Sequence, residues 1–166
     1  MPNYRRIWSS GQIYFFTVNL AQRRGNDLLI KHVDNLREAF TKVKRLRPFI
    51  IHAIVILPDH LHCLWQLPEN DCDYSTRWRL IKSEFSKRIS YGEGITTSRL
   101  RKGERGLWQR RYWEHLIRDE RDFMAHVKYI QNNPVKHGYA QQAEDWPYCR
   151  VGCNPPAFAI TDDGGL

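Results

Sequence analysis

No stretch of this chain is apolar for anything near the roughly 20 residues that span a bilayer, and Met1-Pro2-Asn3-Tyr4-Arg5-Arg6 leads into no signal-peptide core. A soluble, cytoplasmic protein without a membrane partner is the expectation. Paired cysteines are missing too: Cys63, Cys72, Cys149 and Cys153 form no C-x-x-C pair, and a reducing compartment would keep them as thiols. Cys149 and Cys153 lack the second pair or histidine cluster that a metal site built on them would need. No internal repeat or long linker divides the 166 residues, which suffice for one domain with its own core. Acidic side chains are in short supply, 18 against 26 basic ones, for a net charge of +8. That imbalance points to a polyanionic partner, with nucleic acid the leading candidate.

Aromatic residues make up 13% of the chain and include six Trp, enough both to fill a core and to stack on bases. Gln12 to Asn19, rich in aromatic and β-branched residues, reads as a first strand. Val33, Leu36, Phe40, Val43 and Leu46 recur at helical spacing up to Pro48. Phe49 to Leu57 is a continuous apolar strand, Pro58-Asp59 a tight turn, and His60 to Leu67 its hairpin partner. Trp78, Ile81, Phe85 and Ile89 mark one face of a helix from Tyr74 to Ile89, with Arg77, Lys82 and Arg88 elsewhere on it. Ser90 to Gly106 is basic, Gly-rich and aperiodic, hence a loop. Trp113 to Arg118 reads as a fourth strand, and Asp119 caps a helix expected to run to Pro134. The order β-α-β-β-α-β-α fits an α+β fold, a ferredoxin-like antiparallel sheet with helices on one face.

Two places carry chemistry. His60-Leu61-His62 puts two imidazoles on one face of a strand, about 7 Å apart along the chain and able to share a divalent ion. On the last helix Asp122, His126, Tyr129 and Asn133 form a polar stripe separate from the apolar one of Phe123, Val127 and Ile130. If that helix crosses the histidine strand, Asn133 can complete a metal site beside Tyr129. Each element alone has a blander reading: H-x-H as a half-buried polar pair, Tyr129 as packing, Asn133 as a helix end before Pro134. His115, His126 and His137 have equally plausible roles in packing, capping or exposure.

Taken together, His60-Leu61-His62, Trp108-Gln109-Arg110-Arg111-Tyr112-Trp113 and Tyr129-Ile130-Gln131-Asn132-Asn133-Pro134 resemble the single-tyrosine HUH transposases. The closest likeness is to the REP-associated tyrosine transposases, which act on single-stranded DNA hairpins. The resemblance runs from about Arg5 to Trp146, giving a transposase domain over residues 1–146 and a tail over 147–166. It implies an HUH endonuclease-type fold and a divalent ion, Mg²⁺ or Mn²⁺, on His60, His62 and Asn133. It further implies that Tyr129 attacks the DNA backbone to give a 5′-phosphotyrosine and a free 3′-hydroxyl. Phenols lose their proton near pH 10, so the attack needs help; His126 is a candidate acceptor, and Lys128 or Lys136 can steady the charge.

Expected DNA contacts are Arg5, Arg6, Arg23, Arg24, Arg101, Lys102, Arg105, Trp108, Arg110, Arg111 and Tyr112. Most lie in Ser98–Arg118, whose formal charge is +5 with Trp113 interleaved, a composition suited to single strands. From Tyr139 onward the chain carries −3 and the part before it +11, so an acidic tail is expected either to shield the basic surface or to stay solvated. The resemblance suggests a monomer, with a dimer the other possibility. A catalytically silent nucleic-acid-binding module with a ferredoxin-like fold is the alternative function. A metallohydrolase of small phosphoesters is a third.

Overall fold

The computed structural model describes residues 11–102 and 106–152. Eleven elements follow one another in this part of the chain. Strand β1 (Ile13–Asn19) leads through the short helix α1 (Leu28–Lys31) to helix α2 (Val33–Leu46). The hairpin of β2 (Ile50–Ile56) and β3 (His60–Gln66) precedes helices α3 (Tyr74–Lys87) and α4 (Thr97–Arg101). Then come β4 (Trp113–Leu116), α5 (Glu120–Lys136), a 3-10 turn at Ala143–Asp145 and β5 (Cys149–Val151). All strands join one antiparallel sheet in the order β4-β1-β3-β2-β5.

The antiparallel α+β plan is the expected one, but the helices do not gather on one face. Tyr14, Phe16 and Val18 alternate with Ile13, Phe15 and Thr17 along β1, and nearly all of them are buried. A strand apolar on both sides needs two covering layers. On one face Tyr14, Phe16, Val18, Leu61, Cys63 and Trp65 meet α2 and α3, where the Trp65 and Trp78 rings stack at 4.2 Å. On the other, Ile13, Phe15, Ala53, Val55 and Leu64 meet Phe123, Val127 and Ile130 of α5. The sheet is therefore covered by helices on both sides, and the histidine strand lies beneath α5.

Other departures have local causes. Thr96 accepts a hydrogen bond from the Arg99 N–H at 3.4 Å, a cap that starts α4 inside the expected loop. Helix α5 passes Pro134 and ends at Lys136, because burial of Asn133 and Pro134 offsets the backbone hydrogen bond that proline removes. Arg77 is buried, gripping Asp71 at 2.6 and 3.1 Å and the main-chain oxygens of Arg47, Pro48 and Asp73, so it joins α3 to the start of β2. Trp108 is largely buried beside Phe85, at 5.4 Å between rings, and also lines an open groove with Lys82, Gln109, Arg110 and Tyr112.

Strand β5 shows that residues just past Trp146 are part of the sheet: Ala53, Ile54 and Val55 pair with Val151, Arg150 and Cys149. The Gly152 N–H donates to His52 O at 2.7 Å, and Trp146 Nε1 donates to Ile56 O at 2.9 Å. Residues 153–166, and with them most of the expected acidic tail, lie outside the described residues. Ending the chain after Trp146 removes this edge strand and should cost about 2–4 kcal/mol in urea unfolding, at ~1 kcal/mol net per lost ladder bond. An unchanged unfolding midpoint would show that β5 adds nothing to the sheet.

Candidate active site

The β2–β3 turn is tied down before the histidines begin. Leu57 N–H donates to His60 O at 2.8 Å and Leu20 N–H to Asp59 O at 2.9 Å. The register then sets Asn19 opposite His60 and Thr17 opposite His62, all on the face that α5 covers. Both imidazoles are 3% exposed and their ring centres are 5.0 Å apart.

Each ring has its Nδ1 engaged. His60 Nδ1 lies 2.7 Å from Asp59 Oδ1, and Arg23 Nε holds the other Asp59 oxygen at 2.7 Å. His62 Nδ1 lies 2.7 Å from Thr17 Oγ1. With protons on Nδ1, each ring, on the face that α5 covers, keeps a lone pair on Nε2. His62 Nε2 is buried there without a hydrogen-bond partner. Burial, reinforced by His60, His137, Arg23 and Lys136, pushes the pKa of His62 down to about 3, and burial lowers that of His60 as well. Burial alone would raise the Asp59 carboxyl, but hydrogen bonds from His60 and Arg23 outweigh it and leave it below the ordinary value.

Helix α5 supplies the opposite wall. The Tyr129 ring meets His62 edge-on at 5.1 Å and Phe15 at 5.8 Å, and the residue is 39% exposed. One turn on, Asn133 is 1% exposed, and neither its Oδ1 nor its Nδ2 has a partner. One turn further, the His137 ring lies 5.3 Å from that of His60. Asn133 is thus bracketed between residues that touch the two strand histidines. An unpartnered imidazole nitrogen on His62, the His60 imidazole 5.0 Å away and an unpartnered amide oxygen suit a divalent ion that keeps positions for phosphate and water. His137 was missed by sequence reading because the helix was expected to stop at Pro134; the stripe simply continues by four residues.

The remaining expected residues scatter. His126 turns to Asp122, with Nδ1 2.8 Å from the Asp122 main-chain oxygen, and stacks on His115 at 4.8 Å. Among the described residues no contact joins it to the Tyr129 hydroxyl, so the proton-acceptor role finds no support. Lys136 Nζ lies 5.4 Å from the Tyr129 ring centre. Arg23 is committed to Asp59 beside the histidines. Arg24, Arg101, Lys102, Arg110 and Arg111 are exposed. Tyr112 is half-buried against Trp78 with Lys82 over it at 5.1 Å. Trp113, 60% exposed, stands on the histidine face opposite Thr17. Arg5, Arg6 and Arg105 lie outside the described residues.

Known proteins resemble this chain in sequence and in fold. The family described as "Transposase IS200 like" matches residues 9–133. A REP-associated tyrosine transposase of Escherichia coli K12 is 47% identical over 148 residues, which are 89% of this chain and 81% of the relative. A relative from Haemophilus influenzae is 44% identical over 166 residues, 99% of this chain and 94% of its own length. The solved structure of a REP-associated tyrosine transposase bound to a REP hairpin superposes with a TM-score of 0.76 at 46% identity, covering 90% of this chain and 82% of that one. Among the described residues no helix is long and apolar enough to cross a membrane. The chain belongs to the IS200-like transposases and, among them, to the REP-associated tyrosine transposases.

Proposed function

We propose that this chain cuts and rejoins single-stranded DNA beside a REP-like hairpin through a 5′-phosphotyrosine on Tyr129. The observation that carries the reading is the set of inward, unpartnered polar atoms on His62 and Asn133 directly beside the Tyr129 ring. Buried polar groups without partners cost about 1–3 kcal/mol each, which a fold tolerates where a ligand completes them. His60, His62 and Asn133 would hold Mg²⁺ or Mn²⁺, which when bound supplies a Lewis acid for a phosphate oxygen.

The chain's own residues account for the rest. Asp59 and Thr17 hold the two imidazoles in the ligating tautomer. Lys136 puts a positive charge beside the phenol as it loses its proton. Tyr129 Oη forms the bond to phosphorus, the bond to the 3′ oxygen breaks, and that oxygen leaves as a hydroxyl after taking a proton. Because the phosphotyrosine conserves a phosphodiester, an incoming 3′-hydroxyl reverses the step without ATP. The relative bound to a REP hairpin supports a hairpin substrate. Exposed Arg24, Arg101, Lys102, Arg110 and Arg111 would follow the phosphates, and Trp113 offers a stacking face. Arg5, Arg6 and Arg105 join that set on their sequence alone. His60, His62, Tyr129 and Asn133 lie together within one chain, so this reading needs no residue from a second copy.

Three outcomes test this reading. Tyr129→Phe should abolish the covalent protein–DNA adduct on a denaturing gel while hairpin affinity stays within about twofold; an adduct formed by the Phe protein would remove Tyr129 as nucleophile. Asp59→Asn should raise the Mn²⁺ concentration for half-maximal cleavage by about 10–100-fold, the usual effect of losing a carboxylate behind a ligating histidine. An unchanged requirement would place the ion elsewhere. In the unfolded chain His62 takes a proton near pH 6.5, whereas in the fold it stays neutral down to about 3. Acid between those values therefore favours unfolding, by up to about 1.4 kcal/mol per pH unit from this ring. Urea unfolding in EDTA from pH 7 to 4.5 should fall more steeply for the wild type than for His62→Gln, and parallel slopes would contradict the buried neutral ring.

A further inference from the structure

A second group of ligating side chains lies on the same face, on the far side of Phe15 from the strand histidines. His115 of β4 is opposite Phe15 in the sheet, and Asp122 and His126 sit in the first two turns of α5. The Phe15 ring is 4.7 Å from that of His126 and 5.7 Å from that of His62, so it separates the two groups while touching both. One ligand atom from each of His115, Asp122 and His126 lies within 4.8 Å of the others.

We propose that His115, Asp122 and His126 form a second metal site, selective for Zn²⁺, that fastens the start of α5 to the sheet edge. Two imidazole nitrogens and one carboxylate oxygen match the donors of three-ligand zinc sites and are a poor match for Mg²⁺, which prefers oxygen. A tetrahedral site with bonds of about 2.0–2.1 Å sets donor atoms roughly 3.3 Å apart. His115 Nε2 is already 2.8 Å from Asp122 Oδ2, and His126 Nδ1 is 3.2 Å from Asp122 Oδ1. The side chains are 28%, 9% and 23% exposed for His115, Asp122 and His126, which leaves a path for the ion and for a water as fourth ligand. Asp122 also accepts from the Arg118 N–H at 3.0 Å, and its main-chain oxygen lies 2.8 Å from His126 Nδ1; these hold the three residues together when no ion is bound.

This placement gives the site a purpose distinct from that of His60 and His62. Tyr129 lies one turn beyond His126 on the same helix, and its ring rests on the same Phe15. An ion bridging β4 and α5 would brace the helix that carries the tyrosine without touching the scissile phosphate. The ligand set is the same whether or not Tyr129 is the nucleophile.

The test uses the full chain with His60→Ala and His62→Ala, so that the strand histidines cannot contribute, and Zn²⁺ alone as the probe. Calorimetric titration should give one equivalent of Zn²⁺, and saturating Zn²⁺ should raise the melting temperature by several degrees. Adding His115→Gln, whose amide can still donate to Asp122 but is a poor zinc ligand, should weaken binding at least tenfold and remove the thermal shift. In the otherwise wild-type chain the same His115→Gln change should lower the Zn²⁺ stoichiometry by one, which keeps the test valid if the double-alanine protein does not fold. No Zn²⁺ bound in the double-alanine background, or a stoichiometry indifferent to His115→Gln, would overturn the site and leave a hydrogen-bonded triad.

Discussion

Phe15 and Leu64 of the sheet and Phe123, Val127 and Ile130 of the last helix form one apolar seam, and every distance in the site depends on it. The seam fixes how α5 is rotated about its axis. With the Phe123, Val127 and Ile130 stripe facing down, the neighbouring stripe of Tyr129, Asn133 and His137 is carried over His62 and His60. No polar contact between α5 and the two histidines is needed to achieve this. Burial of apolar surface positions groups whose own hydrogen-bonding capacity is left for a ligand.

The polar side of the site is organised differently. Thr17 and Asp59 each take one nitrogen of an imidazole, and Arg23 secures Asp59 in turn. Desolvation keeps the rings neutral, whereas a more open strand would leave them free to protonate. The same burial that costs stability in acid prepares the site at neutral pH, and the two effects cannot be separated by moving the histidines to the surface.

Much of this was readable from residue order, and the parts that were not share a cause. The hairpin around Pro58-Asp59 and the helices beginning at Val33, Tyr74 and Glu120 follow from local periodicity and turn chemistry, whereas the pairing of the H-x-H strand with the tyrosine helix was implied by the family resemblance. Placement of α5 on the face opposite α2 and α3 did not, because a strand buried on both sides shows no alternation to say which helix covers which face. Strand β5 has three residues and exists only because β2 offers an edge. Trp108 stands beside arginines in sequence, and packing against Phe85 buries most of its ring. His137 was hidden behind a proline that packing permits inside a helix, and the neighbourhood of His115 and His126 becomes visible only when a strand and a helix from separate stretches are brought together.

The position of β3 in the sheet also bears on how the molecule moves. It lies in the middle of five strands, paired on both edges and covered on both faces. Its partner β1 is more than 40 residues away in sequence, so β3 cannot form until distant parts of the chain have met. Amide exchange at His60 and His62 should accordingly require opening close to global unfolding, while β5 and α4 at the periphery open locally. Local fluctuations are thereby confined to the rim, and the two imidazoles stay fixed beneath α5 like an anvil set into the middle of the sheet.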